Sequence, residues 1–437
     1  MLRTSAAIAA GKLTRVAARR RGGGSALPGL IAERIDPGIL RHALGGLPEG
    51  IVVVSGTNGK TTTTRMLTAV LRAHGRSVFT NPTGSNFTRG VISALLGEVG
   101  LRGKPVADIA VLELDEAHAL RFAEAIAPTH ALLLNVARDQ LDRFAEIDHT
   151  ARLLAQLGAV ARTGVVVNRD DSFVARAVDG VQAGVQVGRF GLDASIAHRL
   201  PELMEQDTRA GDAYVAPQAG ADDILLRPRD EREFEILLGA DGSGGIVGPV
   251  ELRQRGLAAM INATAATAMA RQLLGAAFDP AAAAGALAAL TPAFGRGEVI
   301  DAGGAPLELV LVKNPAGFTV ALSTYGSTPE RTMIAINDDY ADGRDVSWLY
   351  DVSFESLREV GVALTTGVRA YDMALRLEYD EVGVAGVEPE LDRALERFLA
   401  ERDGQPARIF CTYTAMMTLR RMLAARYDIP AFGEEAS

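Results

Sequence analysis

The alternation of short apolar runs with helical patterns predicts an α/β protein. From Ile51 onward, β-branched runs of strand length alternate with amphipathic segments, which is typical of a mainly parallel sheet flanked by helices. The first predicted strand is Ile51–Val54, and the helix Thr61–Ala73 follows it. Three further buried-strand candidates complete this part of the pattern: Ala107–Leu114, Ala131–Leu134 and Gly164–Val167.

A second α/β pattern begins near Leu307, after a predicted linker at Asp301–Pro306. We therefore expect an N-terminal lead-in over 1–49, a central domain over 50–300 and a smaller C-terminal α/β domain over 301–437. Within the central domain, 193–248 is polar and predicts an insertion or a small β-rich elaboration, after which Leu257–Leu274 and a segment starting at Asp279-Pro280 predict helices. The C-terminal strand and helix candidates are Leu309–Val312, Met333–Ile336, Val362–Thr365, Leu391–Arg402, Arg408–Cys411 and Ala415–Ala425.

Composition excludes several classes of protein. The 437 residues are 48% hydrophobic and 23% charged, which fits an ordinary globular protein. No apolar run reaches the roughly 18 residues of a transmembrane helix. The formal net charge of −9 argues against a general nucleic-acid binder. Cys411 is the single cysteine, so an intramolecular disulfide is excluded and a reducing, cytoplasmic compartment is expected.

The N-terminus differs in charge from the rest of the chain. No acidic residue precedes Glu33, and the longest apolar run, Ala6–Ala10, is too short for a signal peptide. The segment predicts a basic, weakly amphipathic helix. Such a helix either lies against anionic lipid headgroups at the inner face of the membrane or packs, solvated, on its own domain. Its basic residues are Arg3, Lys12, Arg15, Arg19, Arg20 and Arg21.

A glycine-containing loop between the first strand and the first helix carries the strongest chemical signal. Glycines let backbone N–H groups point at phosphate oxygens, and the helix N-terminus adds partial positive charge. Lys60 is expected to neutralise the β- and γ-phosphates and Thr61 to help hold Mg²⁺. The general phosphate-loop pattern has a glycine where Val54 stands, so the match is to a shorter variant; a purely structural turn is the alternative. The loop reads Gly56-Thr57-Asn58-Gly59-Lys60-Thr61-Thr62.

This loop resembles that of the Mur ligase superfamily, ATP-dependent enzymes that join an amine to a carboxylate. The resemblance implies a Mur ligase-like central P-loop ATPase domain with a parallel sheet and a smaller C-terminal Rossmann-like domain. It also implies that Glu113 is a Mg²⁺ ligand, that Asn262 contacts adenine and that Arg296 contacts phosphate. Ala259 departs from the pattern, since the family often has an asparagine there. The supporting segments, in order, are Asn81–Asn86, Leu112–Glu116, Asn168–Asp171, Met260–Ala263, Gly295–Glu298 and Asn314-Pro315.

Two longer motifs are similar to the MurT branch of the superfamily, the ligase-type subunit of lipid II isoglutaminyl synthase. They are Arg138–Phe144 and Asp342–Trp348, and Gln140 and Lys313 share that branch's replacements of a histidine and an aspartate. The resemblance implies that the acceptor is the α-carboxylate of D-glutamate in the lipid II stem peptide. It implies ammonia from a GatD-like glutaminase subunit, whose histidine Asp345 orients in trans. The acidic pattern alone favours a solvated loop with an Asp-Gly turn, and only the resemblance assigns Asp345 this role.

Cysteine usage separates this chain from two related kinds of protein. Some MurT chains carry a four-cysteine zinc ribbon, and this chain lacks those cysteines, so no zinc site is expected. Class I glutaminases place their cysteine on a sharp turn between glycines, whereas Cys411 lies in Ile409–Tyr413 without them. We expect a buried, inert strand cysteine and a separate nitrogen source.

Two rival functions remain open from the sequence. One is another Mur-type amino-acid ligase, similar to folylpolyglutamate synthase, which would keep a histidine at position 140 and need no partner. The other is a nucleotide-binding scaffold without chemistry. On the MurT-type ligase hypothesis, the groups that act on the reacting phosphate are Lys60 and Glu113, and Asp345 serves the partner. ATP turnover that depends on the acceptor would distinguish a ligase from a scaffold.

Overall fold

The fold is known from a computed structural model. It describes residues 2–20, 26–81, 87–100, 103–137, 147–199, 216–292, 296–325, 330–427 and 429. The described chain forms two compact units. The first comprises the described residues within 2–137, 147–253 and 257–290, and the second comprises 254–256 and the described residues from 291 onward.

The first unit is built on a nine-stranded sheet of order β2-β3-β1-β4-β5-β6-β7-β8-β9. The strands up to β7 pair in parallel, and β8 and β9 are antiparallel. The strands are β1 (Gly50–Ser55), β2 (Val78–Thr80), β3 (Ile109–Glu113), β4 (His130–Leu133), β5 (Gly164–Asn168), β6 (Gln186–Leu192), β7 (Ile224–Pro228), β8 (Glu233–Leu238) and β9 (Ile246–Glu251). The helices are α1 (Leu2–Arg20), α2 (Ala26–Ile35), α3 (Ile39–Leu44), α4 (Lys60–Ala73), α5 (Thr88–Glu98), α6 (Glu116–Ala125), α7 (Ile147–Val160), α8 (Leu257–Leu274) and α9 (Pro280–Ala289).

Both faces of this sheet are covered, which explains the continuous apolar runs of its central strands. In β1, Val52 and Val54 face the core that includes α4 and α8. Ile51 and Val53 face the opposite core, which includes α5, α6 and α7. Because side chains alternate between the faces of a strand, a strand buried on both faces must be apolar throughout.

The polar stretch 193–248 is β-rich where it is described. β7 pairs in parallel with β6, and β8 and β9 continue from it as an antiparallel meander. These strands extend the main sheet, and their buried side chains, such as Phe234 and Ile236, join the core beneath α8. Alternating polar residues on the exposed face give the stretch its polar composition.

The second unit has a five-stranded sheet of order β10-β11-β14-β12-β13, in which only β10 is antiparallel among the described strands. Its interior holds a charged side chain: Arg408 is fully buried and pairs with Glu308 at 3.1 Å and Glu330 at 2.6 Å. The elements are β10 (Arg296–Asp301), β11 (Pro306–Leu311), α10 (Pro315–Tyr325), β12 (Arg331–Ala335), β13 (Leu364–Thr366), α11 (Ala370–Tyr379), α12 (Leu391–Glu401), β14 (Ala407–Cys411) and α13 (Tyr413–Ala424).

Several predicted local features are confirmed. The helix Leu257–Leu274 has the predicted bounds, and the Asp279 side chain accepts a hydrogen bond from the Ala281 amide at 2.9 Å, as expected of an N-cap. The N-terminal segment is helical, as α1.

The motif Arg138–Phe144 lies outside the described residues. No described helix is both long enough and apolar enough to cross a bilayer.

Candidate active site

The predicted phosphate loop joins the end of β1 to the start of α4. Gly56 and Gly59 have φ angles of +140° and +87°, backbone conformations that side chains disfavour. Gly59 also has no space for one, because a Cβ atom there would lie 2.3 Å from Oδ1 of Asn262. The structure therefore brings Asn262, on α8, against the loop. The adenine contact that the resemblance implies stays a prediction.

Asn135, which follows β4, holds the loop in shape. Its Oδ1 accepts from the Asn58 amide at 2.8 Å, its Nδ2 donates to the Asn58 carbonyl at 2.9 Å, and its carbonyl accepts from the Thr57 amide at 3.0 Å. The buried Thr57 hydroxyl accepts from the Ala137 amide at 3.1 Å. Sequence reasoning missed Asn135; the available signal was a polar residue directly after a buried strand.

Lys60 is folded back over the loop that precedes it. Its Nζ donates to the Gly56 carbonyl at 2.5 Å and to the Thr57 carbonyl at 3.3 Å, and lies 3.9 Å from Oε1 of Glu116. The side chain is buried. A buried ammonium group requires nearby negative charge or dipoles, which the two carbonyls and the Glu116 carboxylate supply here.

Two oxygen ligands meet beside the loop. The Thr61 hydroxyl donates to Oε1 of Glu113 at 2.9 Å. Glu113 ends β3, and its backbone N–H and carbonyl both bond to the Asn81 side chain at 2.9 Å, which fixes the carboxylate relative to β2. Oxygen donors at a phosphate loop fit Mg²⁺, which is usually held by one or two protein ligands together with phosphate and water. The described residues include no group of three or more His, Cys, Asp or Glu that would hold a metal ion alone.

The Asn168–Asp171 segment at the end of β5 supports the neighbouring strands. Asp171 accepts from the Val136 amide at 2.8 Å and from the Phe173 and Val174 amides at 2.9 Å. Asp170 accepts from the Leu192 amide at 2.5 Å, and burial raises the pKa of its carboxyl to about 6. The two carboxylates therefore hold the backbone that follows β4 and the end of β6. The segment that follows β4 in turn contacts the phosphate loop.

Three acids within or just before the second predicted motif have separate surroundings. Asp342 is buried and accepts from the Thr414 amide at 2.8 Å, so it anchors the start of α13; burial raises its pKa. Asp338 pairs with Arg369 at 2.7 Å. Asp345 is exposed, accepts from the Ser347 amide at 2.9 Å, and has its pKa lowered by the hydroxyl and amide of Ser347. Among these three, Asp345 has the accessible carboxylate.

Three other predicted residues lie in the second unit. Asn314 is buried and accepts from the Gly317 amide at 2.7 Å, so it caps the first turn of α10. Arg296 begins β10, and its side chain lies outside the described part of the chain. Cys411 is buried in β14, which confirms the predicted buried strand cysteine, and desolvation raises the pKa of its thiol.

Comparisons with known proteins assign the family. The Mur ligase middle domain matches residues 54–270, and the MurT ligase C-terminal domain matches residues 311–416. The MurT subunit of the glutamine-hydrolysing lipid II isoglutaminyl synthase of Streptococcus pneumoniae is 31% identical over 97% of this chain and 98% of its own length. The chain belongs to the MurT family.

Two further matches agree with this assignment. The MurT subunit of Staphylococcus aureus strain COL is 31% identical over 88% of this chain and 89% of its own length. The fold matches crystal structure II of MurF from Acinetobacter baumannii with a TM-score of 0.66 at 18% identity, over 91% of this chain and 81% of that one. This MurT-family chain therefore has the predicted Mur ligase fold, with a large, mainly parallel sheet and a second sheet in its C-terminal domain.

Proposed function

We propose that this chain is the ATP-dependent ligase subunit that converts the α-carboxylate of D-glutamate in the lipid II stem peptide into the amide of D-isoglutamine. The observation that carries the proposal is the pairing of Thr61 with Glu113 beside a loop capped by Lys60. The names of the MurT relatives supply the acceptor and the product.

The residues of the loop suit carboxylate activation. A carboxylate oxygen attacks the γ-phosphorus of ATP, ADP leaves, and the acceptor becomes an acyl phosphate. Ammonia then attacks the carbonyl carbon, phosphate leaves, and one proton is lost from nitrogen. Catalysis of the first step is mostly positioning and charge stabilisation. Lys60 would bind the β- and γ-phosphates, Thr61 and Glu113 would hold Mg²⁺, which offsets phosphate charge, and Arg296 would contact phosphate.

We infer a GatD-like glutaminase as the source of ammonia. Cys411, the single cysteine, is buried and its thiol is held in the neutral form, so this chain lacks a cysteine suited to hydrolysing glutamine. The accessible, readily ionised carboxylate of Asp345 suits the role of orienting a partner's histidine.

An exposed apolar face on α11 supports a partner at this position. Tyr371, Leu375 and Tyr379 recur every fourth residue and are all exposed. The ring centroids of Tyr379 and Tyr350 lie 6.0 Å apart, and Tyr350 follows Asp345 by five residues. Exposed tyrosines are frequent binding hot spots.

The charge around this face indicates the chemistry of the partner. Exposed acids outnumber exposed bases over 338–381; the acids are Asp339, Asp345, Asp351, Glu355, Glu359, Asp372, Glu378 and Glu381, and the bases are Arg344 and Arg358. Charge complementarity therefore favours a glutaminase surface with an apolar centre and basic surroundings.

We also place the chain in the cytoplasm, working at the inner face of the membrane, where a lipid-linked acceptor would be held.

Acceptor-dependent ATP hydrolysis with ammonium chloride as nitrogen source tests the ligase activity without the partner. Phosphate release that requires both ATP and lipid II supports the proposal. Nucleotide binding without turnover would support the scaffold, and turnover that requires a free amino acid in place of ammonium would support an amino-acid ligase of the folylpolyglutamate synthase type.

A further inference from the structure

The N-terminal helix α1 presents two different faces. Its inner face is packed: Thr4, Ala7 and Ile8 are buried, and a Cβ on Gly11 would lie 2.5 Å from Leu96 of α5. The helix is thus held closely against its own unit, and its rotation about its axis is determined by that packing.

The opposite face is apolar and exposed. Leu2, Ala6, Leu13 and Val16 recur at intervals of four, seven and three residues, which places them on one side of a helix. Leu2 is 92% exposed, Leu13 73% and Val16 54%. Because the core contacts of α1 are made by its other face, packing among the described residues of this unit does not account for the apolar face.

Basic residues accompany this apolar face. The exposed Arg3 and the partly exposed Lys12 lie on α1, and no acidic residue occurs before Glu33, although the whole chain carries a formal charge of −9. A helix with an apolar face, cationic residues and no acids is the pattern of a segment lying in the plane of an anionic membrane surface. Charge complementarity thus favours an anionic surface, and the exposed apolar face favours a lipid surface, into which apolar side chains can insert.

We propose that the outer face of α1 docks this chain on anionic lipid, with Leu2, Leu13 and Val16 inserted at headgroup depth and the basic residues near lipid phosphates. The use of such docking rests on the proposed function, since a lipid-linked acceptor would be reached from the bilayer surface. The docking surface itself consists of residues of α1 and does not depend on the reaction.

Cosedimentation of the full chain with vesicles tests the proposal. We expect binding to phosphatidylglycerol–phosphatidylcholine vesicles, little binding to phosphatidylcholine alone, and release at high salt. Val16→Asp and Leu13→Asp should each lower partitioning by about tenfold, because each places a charge at the inserted face. Lys12→Glu should lower it by a smaller factor. Val299→Asp is the matched control, because Val299 is also a valine that is 54% exposed, and it should bind like the original chain.

Two readouts separate this proposal from the proposed function. Thermal unfolding shows whether each variant is folded, and ammonium-dependent amidation of a water-soluble acceptor peptide should be unchanged in Val16→Asp. Absence of binding by the original chain, equal binding by Val16→Asp, or equal loss in Val299→Asp would overturn the docking surface. Vesicle binding without amidation would leave the docking surface standing and overturn the proposed function instead.

Discussion

The Thr61 hydroxyl donates a 2.9 Å hydrogen bond to the Glu113 carboxylate, joining the first turn of α4 to the end of β3. The two residues are 52 positions apart in the chain, and the parallel pairing of β1 with β3 brings them together. Thr61 directly follows Lys60, and both lie in the first turn of α4. This is the arrangement on which the proposed phosphoryl transfer depends.

Glu113→Gln should lower ammonium-dependent amidation by on the order of 10²–10³, because a neutral amide offsets less of the charge of Mg²⁺. The fold should be retained, since the amide oxygen still accepts from Thr61. The rate as a function of Mg²⁺ concentration checks this, with the exposed Glu124→Gln as control. An unchanged rate and Mg²⁺ dependence would remove Glu113 from the metal site.

Lys60→Ala should abolish measurable amidation while leaving the chain folded. Loss of one cation from a phosphoryl-transfer site costs on the order of 10²–10⁴ in rate. The exposed Lys104→Ala should be indistinguishable from the original chain. The comparison of initial rates decides the matter, and near-normal turnover by a folded Lys60→Ala variant is the result that this account does not permit.

Gly59→Ala should destabilise the phosphate loop more than φ strain alone requires. Both Gly59 and Gly75 have positive φ angles, +87° and +78°, so alanine at either position costs about 1 kcal/mol. Only at Gly59 does the new methyl meet Asn262, at 2.3 Å, whereas nothing lies within 4 Å at Gly75. Nucleotide affinity and the free energy of unfolding should fall further in Gly59→Ala than in Gly75→Ala; equal effects would contradict the close approach of Asn262.

Asp345→Asn should abolish amidation driven by glutamine and spare amidation driven by ammonium. The amide cannot stabilise an imidazolium in the partner, a change that in a comparable triad costs about 10⁴ in rate. Asp351→Asn, another exposed acid of the same segment, is the control. Assembly with the partner should persist. Equal loss with both nitrogen sources would place Asp345 in the synthetase chemistry instead.

Asp170 should make stability depend on pH. Its pKa is raised to about 6, so between about pH 4 and 6 the folded state holds a proton that the unfolded chain has lost. The free energy of unfolding should therefore fall as pH rises through this window. The total fall is about 3 kcal/mol once the carboxyl is ionised in the folded state as well. Chemical denaturation at several pH values should show this slope in the original chain and in the exposed-site control Asp179→Asn. Asp170→Asn should lack it, and an unchanged slope would contradict the assignment.

The sequence predicted the elements whose signal is local. β1, α4 and α8 follow from apolar runs and periodicity, and Asp279 follows from cap chemistry. The position of Asn135 after a buried strand was a usable signal, but its bonds to Asn58 could not be predicted, because Asn58 is 77 residues away and the two meet through a pairing set by the whole sheet. The exposed face of α11 was likewise missed, since apolar residues at helical spacing predict burial as readily as exposure.

The role of Asp342 shows the same limit within one motif. Sequence spacing does not distinguish an acid that anchors a helix from one that remains accessible. The buried bond of Asp342 to the Thr414 amide and the exposure of Asp345 depend on how the start of α13 meets the segment after β12.

Mass spectrometry of lipid II after incubation with the chain, a GatD-like partner, ATP and glutamine tests the central claim most directly. The account predicts the mass change for replacement of one hydroxyl by an amino group, located by fragmentation to the α-carboxyl of D-glutamate and absent with Lys60→Ala. An unmodified stem peptide in the presence of active glutaminase, an added amino acid, or amidation elsewhere in the peptide would contradict it.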